Sequence, residues 1–370
     1  MRALSRDDLT AWLATQTVTL CAIPSVTRDE ARLADYLMHR IPELSPGTKP
    51  IRHGNNVLVR CGTPGGPRIG LFGHTDTVPP TTDSAPCIDL DRRCVVGLGA
   101  SDMKAGLAVM LRLVAESAAL PVDLTCVFYD REEGPADENG LLLLCEQERD
   151  RLLQLDLCLV LEPTANRIEA GCSGSLHAQV AVHGKRAHSA RPWLGQNALY
   201  AARPLLDKLA AATPQPVVVD GLVFHEVVSA TQIATRNARN VIPDQVDLNL
   251  NVRFAPNRSV EDAQKWLLDF VGGLGTVEFV DAAPAGTVCT SHPWLSAFIK
   301  EHGLTVTAKQ AWTDVARLTA LGLPAVNLGP GDPEEAHRIG ETCPLDTLAE
   351  NHRLLRLLFA RIASLPKPTP

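Results

Sequence analysis

Arg68-Ile69-Gly70-Leu71-Phe72-Gly73-His74-Thr75-Asp76-Thr77-Val78-Pro79 is the stretch from which the rest of the chain can be read. After Arg68, residues 69–73 form an apolar run with no polar alternation, which predicts a buried strand over 68–73. The run stops at His74, so a side chain able to offer neutral imidazole stands at a strand end. Asp76 lies two residues further along extended backbone, on the same side, where it can accept the other ring N–H.

The same arrangement recurs along the chain. Leu124–Tyr129 reads as a strand and is followed at once by Asp130-Arg131-Glu132-Glu133-Gly134, and Leu157–Leu161 ends at Glu162-Pro163-Thr164. Ala325–Leu328 is followed by Gly329-Pro330-Gly331-Asp332, then Ala336-His337. Helices fit residues 7–22, 28–40, 106–120 and 345–362, and they alternate with these strands, so the expected class is α/β. In such sheets ligands bind beyond the carboxyl ends of the strands, where the polar residues stand here.

From about Leu176 the texture changes. Alternating strands at 176–183, 227–234 and 246–253 mix with helices at 197–212 and 260–271, which predicts an inserted α+β unit. The expected division is 1–175 with 289–370 for the metal-binding catalytic domain, and 176–288 for a smaller domain. The tail from Leu365 to Pro370 is expected to be loose.

Composition narrows the function. The 370 residues carry a net charge of −7 and no long basic run, which argues against a nucleic-acid-binding surface. The ten cysteines form no CxxC pair, so neither a zinc finger nor a thioredoxin-type motif is present. Scattered cysteines, no leader-like N-terminus and no apolar run of about 18 residues lead to the expectation of a cytoplasmic protein without a membrane partner.

Gly97-Leu98-Gly99-Ala100-Ser101-Asp102 precedes a helix and invites a dinucleotide-loop reading. A carboxylate at Asp102, where the fingerprint needs a third small residue, would repel a pyrophosphate. Asp102 suits a metal instead, since its two oxygens can bridge two cations. Other hydrolase motifs also fail: His225-Glu226-Val227-Val228 is followed by Ser229 rather than a second histidine, and Gly171-Cys172-Ser173-Gly174 continues with Ser175. What remains is two histidines and three carboxylates with one glutamate to spare. This nitrogen–oxygen set fits zinc, cobalt or manganese better than calcium. Two cations about 3.5–4 Å apart bring a bridging water's pKa near neutrality, and the spare Glu132 can carry its proton.

The motifs GHTDTVP, GLGASDMKAG, REEG, EPT and GPGDPEEAH, in this order, resemble the M20 family of metallopeptidases and deacylases. RAHSARPWLGQNAL, NVIPDQVDLNLNVRFAPNRS and AWTDVARLTALGLPAVNLGPGDP look like segments of its actinobacterial-type members that cleave N-succinyl-L,L-diaminopimelate. The resemblance implies a zinc-peptidase-like catalytic domain with a mixed sheet flanked by helices, interrupted by a lid that forms a homodimer. It implies two Zn2+, one on His74 and Glu162, one on Glu133 and His337, with Asp102 bridging. Glu132 takes the general acid/base role, Asp76 orients His74, and His188 donates to the oxyanion in a partner's site. Asn240, Arg253, Thr313 and Gly329 are the implied substrate contacts, although a structural ion pair is an equal reading of Arg253. Residues 171–174 lack the arginines many members carry, leaving Lys185, Arg186 or Arg191 as substitutes, and Arg131 stands where a small or acidic residue is common. The expected substrate is an N-acyl amino acid. Acetylornithine deacetylase, an aminoacylase- or carboxypeptidase-like activity, and a silent metal-binding scaffold are the alternatives.

Overall fold

Five-residue runs such as Ile69–Gly73 and Leu124–Phe128 place apolar side chains on both faces, so they need cover on both sides. In the computed structural model, which describes residues 5–81 and 84–366, they form the middle of a mixed sheet. Its eight strands run in the order Ile51–His53, Asn56–Gly62, Asp123–Tyr129, Arg68–His74, Leu157–Pro163, Ala325–Gly329, Ile168–Ala170 and Val306–Ala308. Arg68–His74 pairs in parallel with both Asp123–Tyr129 and Leu157–Pro163, and Ala325–Gly329 is parallel to the latter. Parallel neighbours bring their carboxyl ends into one row, so His74 is level with Tyr129 and Gly329 with Pro163.

The helix Ala105–Ala115 is buried from Ala105 through Val114 and packs close to the sheet through Gly106, where an added Cβ would lie 2.6 Å from the Leu161 carbonyl oxygen. It is shorter than the 106–120 expected. The chain passes through a 3₁₀ turn at Ser117–Ala119 toward Pro121, whose missing N–H cannot extend a helix.

The chain divides into two compact units: Met1–Ala170, Cys289–Thr307 and Arg317–Pro370 make the first, Gly171–Val288 with Ala308–Ala316 the second. The second unit contains an antiparallel sheet ordered Gln215–Val219, Leu222–Ala234, Gln245–Phe254, Gly174–His183, Thr276–Ala283. Alternation decides its faces: Leu176, Ala178, Val180 and Val182 join Val246, Leu248, Leu250 and Val252 in a core with Leu205, Ala263 and Leu267 from its helices.

Two differences from the sequence reading have local causes. The helix expected over 197–212 is split into Ala198–Ala201 and Arg203–Ala210, because Pro204 has no N–H to donate to the preceding turn. The strand expected at 227–234 begins at Leu222, after an Asp220-Gly221 hairpin turn with both φ values positive, and pairs with Gln215–Val219. In the tail, Pro366 accepts a hydrogen bond from Trp294 Nε1 at 3.0 Å, while 367–370 lie outside the described residues. No helix among the described residues is long and apolar enough to cross a membrane.

Candidate metal centre

Four strand ends and two loops supply the site, all within the first unit. His74 closes its strand fully buried. Its Nε2 lies 3.0 Å from Asp102 Oδ1 and 3.9 Å from Glu162 Oε1. His337, half exposed, lies with Nε2 2.8 Å from Glu133 Oε1 and 3.7 Å from Asp102 Oδ2. Asp102 thus turns one oxygen toward each histidine. Donor atoms of His74, Asp102 and Glu133 all lie within 4.8 Å of one another, a spacing that can hold a metal ion. Two imidazoles and two carboxylates around a shared central carboxylate offer donors suited to divalent cations.

Asp76 does more than stand beside His74. The imidazole Nδ1 is 3.0 Å from the Asp76 main-chain oxygen and 3.5 Å from its carboxylate. The carboxylate itself accepts from Glu132 N at 3.0 Å, Glu133 N at 3.1 Å and the Thr27 hydroxyl at 3.0 Å. One buried acid therefore fixes the first histidine's surroundings and the backbone of the paired glutamates. Burial works against its ionisation, yet His74 and the two N–H donors hold the carboxyl below its ordinary range.

The sequence marks the Asp102 loop as a ligand loop, and tertiary contacts supply its surroundings. Gly99 N donates to Glu341 Oε2 at 2.9 Å, and Ser101 N and Asp102 N donate to Glu341 Oε1 at 2.6 and 2.8 Å. The Ser101 hydroxyl donates to the Asp332 carbonyl at 2.9 Å, tying this loop to the turn that carries His337. The Asp102–Met103 peptide bond is cis. Lys104, also buried, donates to the carbonyls of Leu20 and Ile23, and burial lowers its pKa from the ordinary value. Glu341 and Lys104 follow no local pattern; the isolated glutamate after Arg338-Ile339-Gly340 reads as a loop acid.

The carboxylates dominate the local field. Burial alone would hold the His74 imidazole down, but Asp102 and Asp76 push it well above its usual value. Glu133 raises His337 to about 9. Burial pushes the Glu341 carboxyl up to about 7 despite its three N–H donors. A field that favours protons on both imidazoles equally favours a cation in their place.

The remaining residues named from sequence are dispersed. His188 and Asn240 sit in the second unit on a two-stranded ribbon, where Ser189 N donates to the Asn240 carbonyl at 2.9 Å and His188 pairs with Val241. Both side chains are exposed, and His188 Nδ1 accepts from Ala190 N at 3.0 Å, so a neutral ring keeps its proton on Nε2. Arg253, half buried, donates through Nε to Asn251 Oδ1 at 3.2 Å. Thr313 is buried in the second unit, and neither its hydroxyl nor that of Ser173 has a hydrogen-bond partner among the described residues.

Gly329 has a packing reason of its own. A Cβ there would lie 2.2 and 2.4 Å from the carbonyl oxygens of Leu161 and Glu162. Gly329→Ala must push the neighbouring strand away, at a cost of about 1–3 kcal/mol, and displaces Glu162 with it. The expected result is a lower melting temperature for the metal-free protein together with weaker cation binding, measured by thermal unfolding and metal titration. Unchanged values for both would remove the close strand approach as the reason for glycine.

Comparison with known proteins bears on this geometry. The profile of peptidase family M20/M25/M40 matches residues 70–361. A Mycobacterium tuberculosis protein bearing a succinyl-diaminopimelate desuccinylase name is 42% identical over 341 residues, covering 92% of this chain and 96% of that protein. The succinyl-diaminopimelate desuccinylase of Corynebacterium glutamicum is 38% identical over 349 residues, covering 92% and 94%. Among solved structures, a Staphylococcus aureus tripeptidase aligns with a TM-score of 0.76 at 20% identity over 96% of this chain and 99% of its own. An M20 family metallo-carboxypeptidase of Sulfolobus solfataricus reaches 0.76 at 15% identity over 95% and 99%, and these two show the shared fold. With the profile spanning every one of the clustered acids and histidines from His74 to His337, the chain belongs to peptidase family M20/M25/M40.

Proposed function

We propose that the protein hydrolyses the amide bond of N-succinyl-L,L-diaminopimelate, releasing succinate and L,L-diaminopimelate. The chemistry rests on one observation above the rest: Asp102 turns its two carboxylate oxygens toward two different histidines. The substrate rests on relatives 38–42% identical over 92% of this chain that carry the desuccinylase name.

In this reading His74 and Glu162 hold one cation, Glu133 and His337 the other, and Asp102 is shared. The two cations, zinc with cobalt or manganese as substitutes, acidify water and polarise the scissile carbonyl when bound. Glu132 accepts the proton of the attacking water as its oxygen bonds to the carbonyl carbon. It then delivers that proton to the amide nitrogen as the C–N bond breaks, so no covalent enzyme intermediate is needed. The Nε2–H of His188 is the donor for the developing oxyanion, reaching a partner's site in a homodimer built through the second unit. Residues 176–288 serve as that lid, and 1–175 with 289–370 as the catalytic domain. Asn240, Arg253, Thr313 and Gly329 line the substrate, Arg253 and the unpartnered Thr313 hydroxyl being suited to carboxylate oxygens. The setting is the cytoplasm.

The test is amine release by the zinc-loaded protein from N-succinyl-L,L-diaminopimelate and from N-α-acetyl-L-ornithine, each with and without a chelator. Chelator-sensitive release from the succinyl compound alone is expected. Release from the acetyl compound alone would transfer the protein to a sister activity with the same metal chemistry, and release from neither would reject the proposal.

A further inference from the structure

The glycine loop ahead of the Ala105–Ala115 helix has the form of an anion-binding turn, with Gly99 at positive φ and the N–H groups of Gly99, Ser101 and Asp102 converging on one group. The anion it holds belongs to the chain itself. Glu341, 2% exposed, takes the N–H groups of Gly99, Ser101 and Asp102 on its two oxygens. Its own placement is fixed from behind. Thr342–Pro344 pairs antiparallel with Cys94–Val96, and Gly97 N donates to the Glu341 carbonyl at 3.0 Å, so the side chain rises beneath the loop.

This matters because Asp102 N is one of the three amides that Glu341 holds. Its φ and ψ of −117° and 95° lie outside the helix it precedes. For each oxygen to face a different histidine, the main chain must fix both the position and the rotation of the carboxylate. A rotation about that backbone would move both oxygens together.

We propose that Glu341 is a positioning residue for the metal centre, holding the main chain of Asp102 so that its carboxylate spans both cation positions. The inference rests on the two-cation hydrolase reading above and adds to it a residue that touches neither cation nor substrate.

The two variants to compare are Glu341→Gln and Glu341→Ala. Glutamine keeps one oxygen for Ser101 N and Asp102 N but turns an NH2 toward Gly99 N–H, and alanine accepts nothing. Loss of such an outer partner costs about 10–100-fold in metal affinity. The expected order of zinc affinity, by competition with a chromogenic chelator, is therefore wild type above glutamine above alanine. The visible spectrum of the cobalt-loaded glutamine variant should change, and kcat should fall with KM nearly constant.

Wild-type zinc affinity and an unaltered cobalt spectrum in Glu341→Gln would overturn the proposal, even if its melting temperature falls, because Glu341 would then support only the fold. A wild type that binds no divalent cation would overturn the hydrolase reading and this one together, a result distinct from equal binding by wild type and variant. Should both variants fail to fold, hydrogen exchange on the wild type decides. Slow exchange at the Gly99 and Ser101 amides, with and without zinc, supports the clamp; exchange at the rate of an open loop refutes it.

Discussion

Glu132→Gln is expected to lower turnover at least about 100-fold, the usual contribution of a positioned general base, while cation affinity stays at the wild-type level. Glu132 and Glu133 are adjacent, and their main-chain N–H groups are held by the two oxygens of one acid, Asp76. Only Glu133 joins His74 and Asp102 in the cluster of donors. The substitution keeps the size of the side chain and the N–H bond to Asp76, so the loop has no reason to move. In the proposed mechanism it removes the basic carboxylate that takes a proton from water and returns it to the leaving nitrogen. The measurements are kcat on the succinyl substrate and zinc stoichiometry of the purified variant. Loss of zinc along with turnover would make Glu132 a ligand or a structural residue, and unchanged turnover would take it out of the mechanism.

Asp102→Ala should be more damaging and of a different kind. Each outer partner of a metal ligand is worth about 10–100-fold in affinity or activity, so removal of a carboxylate facing both halves of the site must exceed the upper figure. Both cations should be lost. Glu162→Ala, in contrast, removes an acid placed 3.9 Å from His74 and assigned to one cation, and should deplete one. Metal analysis of the three proteins after dialysis, read beside turnover, separates these outcomes. One retained cation in Asp102→Ala would show that the two positions are independent and that Asp102 is not shared.

The two substitutions probe features of different origin. Among the candidate ligands, His74 and Glu162 were legible because each follows an apolar run directly, and parallel pairing then brings neighbouring strand ends together. His74 and Tyr129 are level in the sheet, as are Gly329 and Pro163. Period and strand length fix where such runs end, so the sequence carries the row of donors almost explicitly. The hairpin at Asp220-Gly221, which the expectation of a strand at 227–234 passes over, also has a local cause, since two residues that tolerate positive φ between β-branched runs specify that turn.

Other features had no local signature. Gly329 reads as part of a glycine-shaped turn, but its requirement comes from the carbonyls of Leu161 and Glu162 on the adjacent strand. The Asp76 carboxylate looked like the partner of His74, and its stronger engagement with Glu132 and Glu133 depends on a loop 56 residues away. Glu341 is the extreme case. Its bond to Ser101 N spans 240 residues, and it depends on a pairing between two three-residue strands too short to show a period.

By itself, then, the sequence determined which side chains stand at strand ends, and through them the candidate donors and the metal chemistry they suit. Only the tertiary structure decided which oxygen faces which histidine and which buried acids hold the loops. Donor identity follows from local backbone periodicity, whereas donor orientation is set by hydrogen bonds between segments that meet only when the sheet closes.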